Sequence, residues 1–146
     1  MESLCIVPCG KKKIWDKIPN AGPINAKDVY IGPFAKKCKQ YAEKFYSESW
    51  IIISAKYGFL KPDDIVPDYY DVCFHDKKSN SISIEELKKQ IKEKNLDKYD
   101  KIIVLGGKYY TEMIKNVFPT KIVINPLNGC KGIGYMMARL NDSINE

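Results

Sequence analysis

Four short apolar runs constrain this chain most, because each ends in glycine, lysine and small polar residues. Leu4 to Val7 leads into Pro8-Cys9-Gly10-Lys11-Lys12-Lys13, and Trp50 to Ile53 into Ser54-Ala55-Lys56-Tyr57-Gly58. Ile102 to Leu105 leads into Gly106-Gly107-Lys108, and Ile122 to Ile124 into Asn125-Pro126-Leu127-Asn128-Gly129-Cys130-Lys131-Gly132. Short, unbroken, β-branched runs read as strands covered on both faces. In an open parallel sheet such ends gather on one edge, where α/β folds bind ligands. Four glycine-lysine turns there predict a cationic pocket with close backbone access, suited to phosphate.

Between the runs the spacing changes to a helical period. Phe34, Cys38, Tyr41, Ala42 and Phe45 follow Gly32-Pro33, and Ser83 with Glu86 forms a capping box ahead of Ile84, Leu87 and Ile91. Tyr110, Met113, Ile114 and Val117 mark a third helix, stopped at Pro119, and Ile133, Met136, Met137 and Leu140 a last one. Pro19, Gly22 and Pro23 leave no room for a long helix after the first strand. The stretch from Leu60 to Asn80 reads as a long ordered loop lying over the sheet edge. The order βαβαβαβα predicts a single α/β domain over residues 1–146. Its expected form is a three-layer sandwich on a four-stranded parallel sheet, with right-handed crossovers.

At 146 residues the chain is long enough to bury about two thirds of its unfolded surface. No apolar run approaches the ~18 residues of a membrane span, and no signal-peptide pattern opens the chain, so cytoplasmic residence without a membrane partner is expected. The net charge of +6 favours an anionic partner, nucleic acid or nucleotide. Five cysteines in no framework spacing read as reduced thiols, and with His75 as the single histidine neither a metal site nor a cofactor is expected.

Each loop offers candidate chemistry. Cys9, Gly10, Lys11 and Lys13 suit an anion, and the positive charge beside Cys9 favours a thiolate, although the sequence ties no base to it. Ser54, Lys56, Tyr57 and Gly58 follow the second run, and Tyr57 or Tyr30 is placed to stack on a base. Gly106 and Gly107 open a helix whose amides face a ligand. Asn125 offers a donor and an acceptor, while Asn128, Gly129 and Lys131 form a loop that presses on a phosphodiester. Among Asp63, Asp64, Asp68 and Asp71 of the long loop, Asp63 is the first candidate for a water-orienting or basic carboxylate.

Three resemblances attach to these residues. Cys9 to Lys13, Tyr30 to Phe34, Tyr41 to Glu43 and Ser54 to Asp63 match C-x-x-K-K, Y-x-G-x-F, Y-A-E and S-A-K-[HY]-G-[LF]-x-x-P-D, the marks of an uncharacterised family of bacterial, archaeal and phage proteins. Asn125-Pro126-Leu127-Asn128-Gly129 is similar to the last motif of the uracil-DNA glycosylase superfamily. That resemblance implies a parallel sheet with a base-flipping pocket at its strand ends. The superfamily's first motif is replaced here by Pro8 to Lys13, so its water-positioning residue is missing. Pro8-Cys9-x-x-x-Lys13 instead resembles half of a motif in archaeosine synthase cores, which modify a 7-deazaguanine base in transfer RNA.

The combined expectation is an enzyme acting on a nucleic acid or nucleobase at the C-terminal edge of a glycosylase-like sheet. Asn125 and Ser54 would read the base, Lys11, Lys13 and Lys131 would hold phosphate, and Asp63 or Lys13 would act as acid or base. A non-catalytic binding module and a small-molecule nucleotide hydrolase or transferase are the alternatives.

Overall fold

A computed structural model describes residues 2–146, the side chain of Lys77 excepted; residue 1 of the expected domain lies outside them. Strand β1 (Ser3–Pro8) is central. It pairs in parallel with β3 (Trp50–Ser54) on one side and β6 (Lys101–Val104) on the other, and β6 pairs in parallel with β7 (Ile122–Ile124). These are the four runs anticipated from sequence. The sheet nevertheless has five strands and is mixed, because β4 (Gly58–Leu60) turns back antiparallel on β3. The purely parallel four-stranded expectation is corrected accordingly.

The reversal has a local cause. Gly58 takes φ +76°, the left-handed region that glycine enters freely, and the chain folds over so that Gly58 opposes Ser54. A side chain there would also collide with Gln90, since a Cβ would lie 2.3 Å from its Oε1. Gln90 uses that closeness: its Nε2 donates to the Tyr57 carbonyl at 2.9 Å and its Oε1 accepts from the Phe59 N–H at 2.8 Å.

Alternation along the strands divides the core into two. Cys5, Val7, Trp50, Ile52, Ile103 and Leu105 face one side; Leu4, Ile6, Ile51, Ile53, Ile102 and Val104 face the other. The first face is covered by α1 (Ile14–Lys17), α2 (Ala26–Val29), α3 (Pro33–Phe45) and α6 (Ile133–Ile144). The second is covered by α4 (Ile84–Glu93) and α5 (Lys108–Val117). Both faces are dry at β1, which is why its residues read as an unbroken apolar run. Each fully buried Leu or Ile contributes about 1.5–3 kcal/mol.

The expected long loop is a structured excursion. After β4 the chain turns at Lys61–Asp64, where Asp64 accepts from the Lys61 N–H at 2.8 Å. It then forms β5 (Ile65–Val66), paired antiparallel with β2 (Ile24–Asn25). Tyr70 next packs on the first face and Phe74 on the second, so the segment between them crosses the sheet edge. We call residues 67–74 the strap.

Candidate functional site

The order β4-β3-β1-β6-β7 reverses direction at β1, since the chain leaves β1 for β3 on one side and later returns to β6 on the other. The crevice beyond β1 and β6 is therefore the topological switch point, where open α/β sheets bind ligands. All four glycine-lysine turns leave parallel strands at this end. They share one rim, but they do not close around one space. The strap fills the β1–β3 half and the β6–β7 half stands open.

In the filled half, Tyr70 joins the residues anticipated from sequence. Its hydroxyl bonds that of Ser54 at 2.7 Å and meets that of Tyr30 in a short hydrogen bond. Ser54 is fully buried and also accepts from the backbone N–H of Lys56 and Tyr57, at 3.2 and 3.1 Å, which folds the turn around its hydroxyl. Tyr57 stands edge-on to Tyr70 with ring centres 5.3 Å apart, and the exposed Lys56 lies 5.3 Å from the Tyr57 ring. Burial holds the Tyr70 hydroxyl up at about 12, and raises that of Tyr30 further.

Lys13 is the unusual member. It is only 3% exposed, although lysine is almost never fully buried without a partner. Its Nζ donates to the Lys11 carbonyl at 3.1 Å and lies 4.6 Å from the Tyr70 ring centre and 5.6 Å from that of Tyr69. Among the described residues no carboxylate comes within 4.0 Å of it. Its neighbour Asp16 instead accepts from the Lys13 backbone N–H at 2.8 Å, opening α1. Burial lowers the amine's pKa; the Cys9 thiol, Asp16, Asp71 and Cys73 oppose that shift.

Cys9 is half-buried and touches both core clusters, because it sits at the end of β1 where the two faces meet. Burial raises its pKa, against the Ala55 backbone, the Tyr110 hydroxyl and Lys13, all of which favour the thiolate. Gly10 sits against Ala35 of α3, so its place is a close helix contact. The Lys11 side chain is exposed.

The open half is a cavity of about 590 Å³ lined by Gly106, Gly107, Lys108, Thr111, Glu112, Lys115, Asn125, Asn128 and Gly129, with Leu127, Cys130 and Met136 among its apolar walls. Gly107 caps the start of α5, which turns amides and the positive end of the helix toward this space. Asn125 builds the wall: its Nδ2 donates to the Gly106 carbonyl at 3.0 Å and to Thr111 Oγ1 at 2.7 Å, and its Oδ1 accepts from the Leu127 N–H at 2.8 Å. Both amide protons are thus engaged within the protein. Arg139, the one arginine of the chain, clamps the glycine loop by donating to the carbonyls of Pro126 at 3.1 Å and Asn128 at 2.9 Å.

Two anticipated residues are not brought here. Asp63 lies at the opposite end of the sheet, because antiparallel β4 carries the chain away from the rim before the Lys61–Asp64 turn. There it is exposed and 3.7 Å from Lys27, in a groove of mixed charge with Glu43, Glu48, Lys61 and Lys94. Lys131 faces outward beside Tyr135, Arg139 and Asp142 rather than into the cavity.

Sequence reasoning missed Tyr70, Tyr110, Glu112 and Arg139. The Tyr69-Tyr70 pair was a usable signal, since bulky aromatics inside a Pro- and Asp-rich stretch must find cover. The His75 ring lies tilted against that of Tyr109, with centres 4.5 Å apart. Among the described residues no cluster of His, Cys, Asp and Glu is arranged to hold a metal ion, and no helix is long and apolar enough to cross a membrane.

The sequence profile of a family of unknown function, DUF6884, matches residues 4–142. The chain is also 45% identical over 147 residues to "Uncharacterized protein YfjM" of Bacillus subtilis (strain 168), covering 100% of this chain and 97% of the relative.

Proposed function

The chain belongs to the DUF6884 family, and we propose from its own geometry that it acts on a nucleic acid or nucleobase at the C-terminal rim of the sheet. The observation that carries this reading is the open cavity between β6 and β7, with glycine backbone, a helix N-terminus, Lys108 and Lys115 on its walls. A phosphate against Gly107 and Lys108 would leave a planar base directed toward the apolar walls at Leu127 and Met136. The glycosylase-like scaffold suggested by Asn125 to Gly129 accords with this arrangement.

With Asp63 at the other end of the sheet, the carboxylate lining the cavity is that of Glu112. It takes the role of orienting a water or accepting a proton. Lys108 and Lys115, which line the cavity, supply positive charge where a leaving base becomes anionic. A second reading, a binding module without catalysis, is favoured by the engagement of both Asn125 amide protons inside the protein.

The test is fluorescence anisotropy of a labelled single-stranded oligonucleotide across a salt series, with mass spectrometry of released bases from the same mixtures. Binding that weakens with a steep salt slope is expected, and the paired change Lys108→Glu with Lys115→Glu should reduce affinity by at least about tenfold. A protein that neither retains oligonucleotides or mononucleotides at low salt nor responds to those changes contradicts the reading. Binding without base release, unchanged in Glu112→Gln, selects the binding module.

A further inference from the structure

Helix α5 stands between two cavities. Thr111 and Lys115 line the one described above, Met113 and Asn116 line a second of about 640 Å³, and Lys108 and Glu112 line both. We propose that the second cavity receives the neighbouring nucleotide of a single-stranded nucleic acid, its base on the rings of Tyr109 and His75 and the linking phosphate at Lys108. The inference rests on the nucleic-acid reading above and adds a subsite that a free nucleotide would leave empty.

Three observations carry it. The first is a fixed aromatic platform. Tyr109 lines the second cavity and is 44% exposed, and the exposed His75 has its ring centre 4.5 Å away. The Tyr109 hydroxyl donates to the Phe74 carbonyl at 3.3 Å, and its ring meets that of Tyr110 edge-on at 5.9 Å. A ring held in this way receives a base with little further loss of freedom, and an aromatic face accepts any base.

The second observation is the wall around that platform. Ile82 and Met113 supply apolar surface, and Ser81 and Asn116 supply donors and acceptors for a base edge. Ile82 is held in place by its N–H, which donates to the Ala55 carbonyl at 2.7 Å. The third is the charge along the dividing helix. Lys108 opens α5 at its positive end, and Glu112 lies one turn further, about 6 Å along the axis. The carboxylate repels phosphate from the middle of the helix, so the strand crosses at the Lys108 end. A phosphate at Gly107 and Lys108 thereby joins a nucleotide in the first cavity to its neighbour in the second.

The experiment is calorimetric titration of the intact protein with a nucleoside 5′-monophosphate and with the dinucleoside monophosphate of the same base, for each common base in ribo and deoxy forms. The two ligands carry one phosphate each, so tighter binding of the second reports its extra nucleoside. That gain should be at least about tenfold for the base and sugar the protein prefers. Tyr109→Ala should abolish the gain and leave monophosphate affinity unchanged, whereas Tyr109→Phe should keep it. In Tyr109→Trp the dinucleoside ligand should quench indole fluorescence and the monophosphate should not, since Trp15 and Trp50 are buried. A gain in either sugar series supports the subsite and identifies the sugar. Equal affinity for the two ligands throughout overturns it even if Tyr109→Ala fails to fold, as does a gain that survives in a folded Tyr109→Ala. Either result leaves the reading of the first cavity standing, while a protein that binds none of these ligands overturns both.

Discussion

Gly58 shows how one residue can look functional and be architectural. In sequence it belongs to a loop suited to a ligand; in the fold its left-handed backbone makes the β3–β4 reversal and its missing side chain admits Gln90. Gly58→Ala combines strain at φ +76° with a clash against an amide that makes two hydrogen bonds. It should destabilise the protein by about 2–3 kcal/mol, measured by urea unfolding. Gly107→Ala is the contrast, since a Cβ there meets nothing within 4 Å. The difference separates glycines that shape the rim from those that leave room on it. Tyr70 makes the complementary point: a residue with no motif of its own unites Ser54, Tyr30 and Lys13.

At the scale of elements, the strap and α4 illustrate two kinds of stabilisation. The strap has little regular structure, and it is held by what its side chains reach: Tyr70 on one face of the sheet, Phe74 on the other. Helix α4 is held locally at its start. The Ser83 hydroxyl accepts from the Glu86 N–H at 3.1 Å, as the expected capping box requires. The Glu86 carboxylate pairs with Lys89 at 3.5 Å, so the reciprocal half of the box is not the contact it makes. Ser83→Ala should therefore cost about 1 kcal/mol in urea unfolding, the value of one cap, while Glu86→Gln should change stability little. A loss several times larger for Ser83→Ala would mean that the cap also anchors the end of the strap.

For the whole molecule, the buried acids set how stability depends on pH. Burial moves the Cys5 thiol from its usual 9.0 to about 12 and the Tyr70 hydroxyl from 10.0 to about 12. Cys38, Tyr30 and Tyr110 are raised as well. A raised pKa means that the folded state keeps a proton the unfolded chain has lost. That stabilisation is whole below the unfolded value and disappears as pH climbs through the folded one. Lys13 has the opposite sign, because burial lowers its pKa, but it is a single group against nine thiols and hydroxyls that are raised. The Tm should fall as pH rises from about 9 toward 12, and Tyr70→Phe should make that fall shallower. A flat profile to pH 11 would contradict the burial of these hydroxyls and thiols.

The four principal strands, the four longer helices α3, α4, α5 and α6 and the shared rim were legible in the linear order of residues, while the short helices α1 and α2 were not. Strands β1, β3 and β6, covered on both faces, require unbroken apolar runs, whereas β7, expected to be covered likewise, is an edge strand with Ile122 and Ile124 exposed; amphipathic helices require a 3.6-residue period. Both are demands that neighbouring positions express by themselves. Strand β4 was not legible, because Gly-Phe-Leu after a turn carries no period and its partner is chosen by the glycine reversal. That reversal sent Asp63 to the far end of the sheet, which no spacing reveals. The hydroxyl contact of Tyr70 with Tyr30, and the place of Lys13 over the Tyr70 ring beneath the strap, depend on how segments distant in sequence cross over the sheet edge. Local chemistry chose the residues that form the rim; only long-range packing determined which of them stand together, because burial and hydrogen bonding are satisfied between elements rather than along the chain.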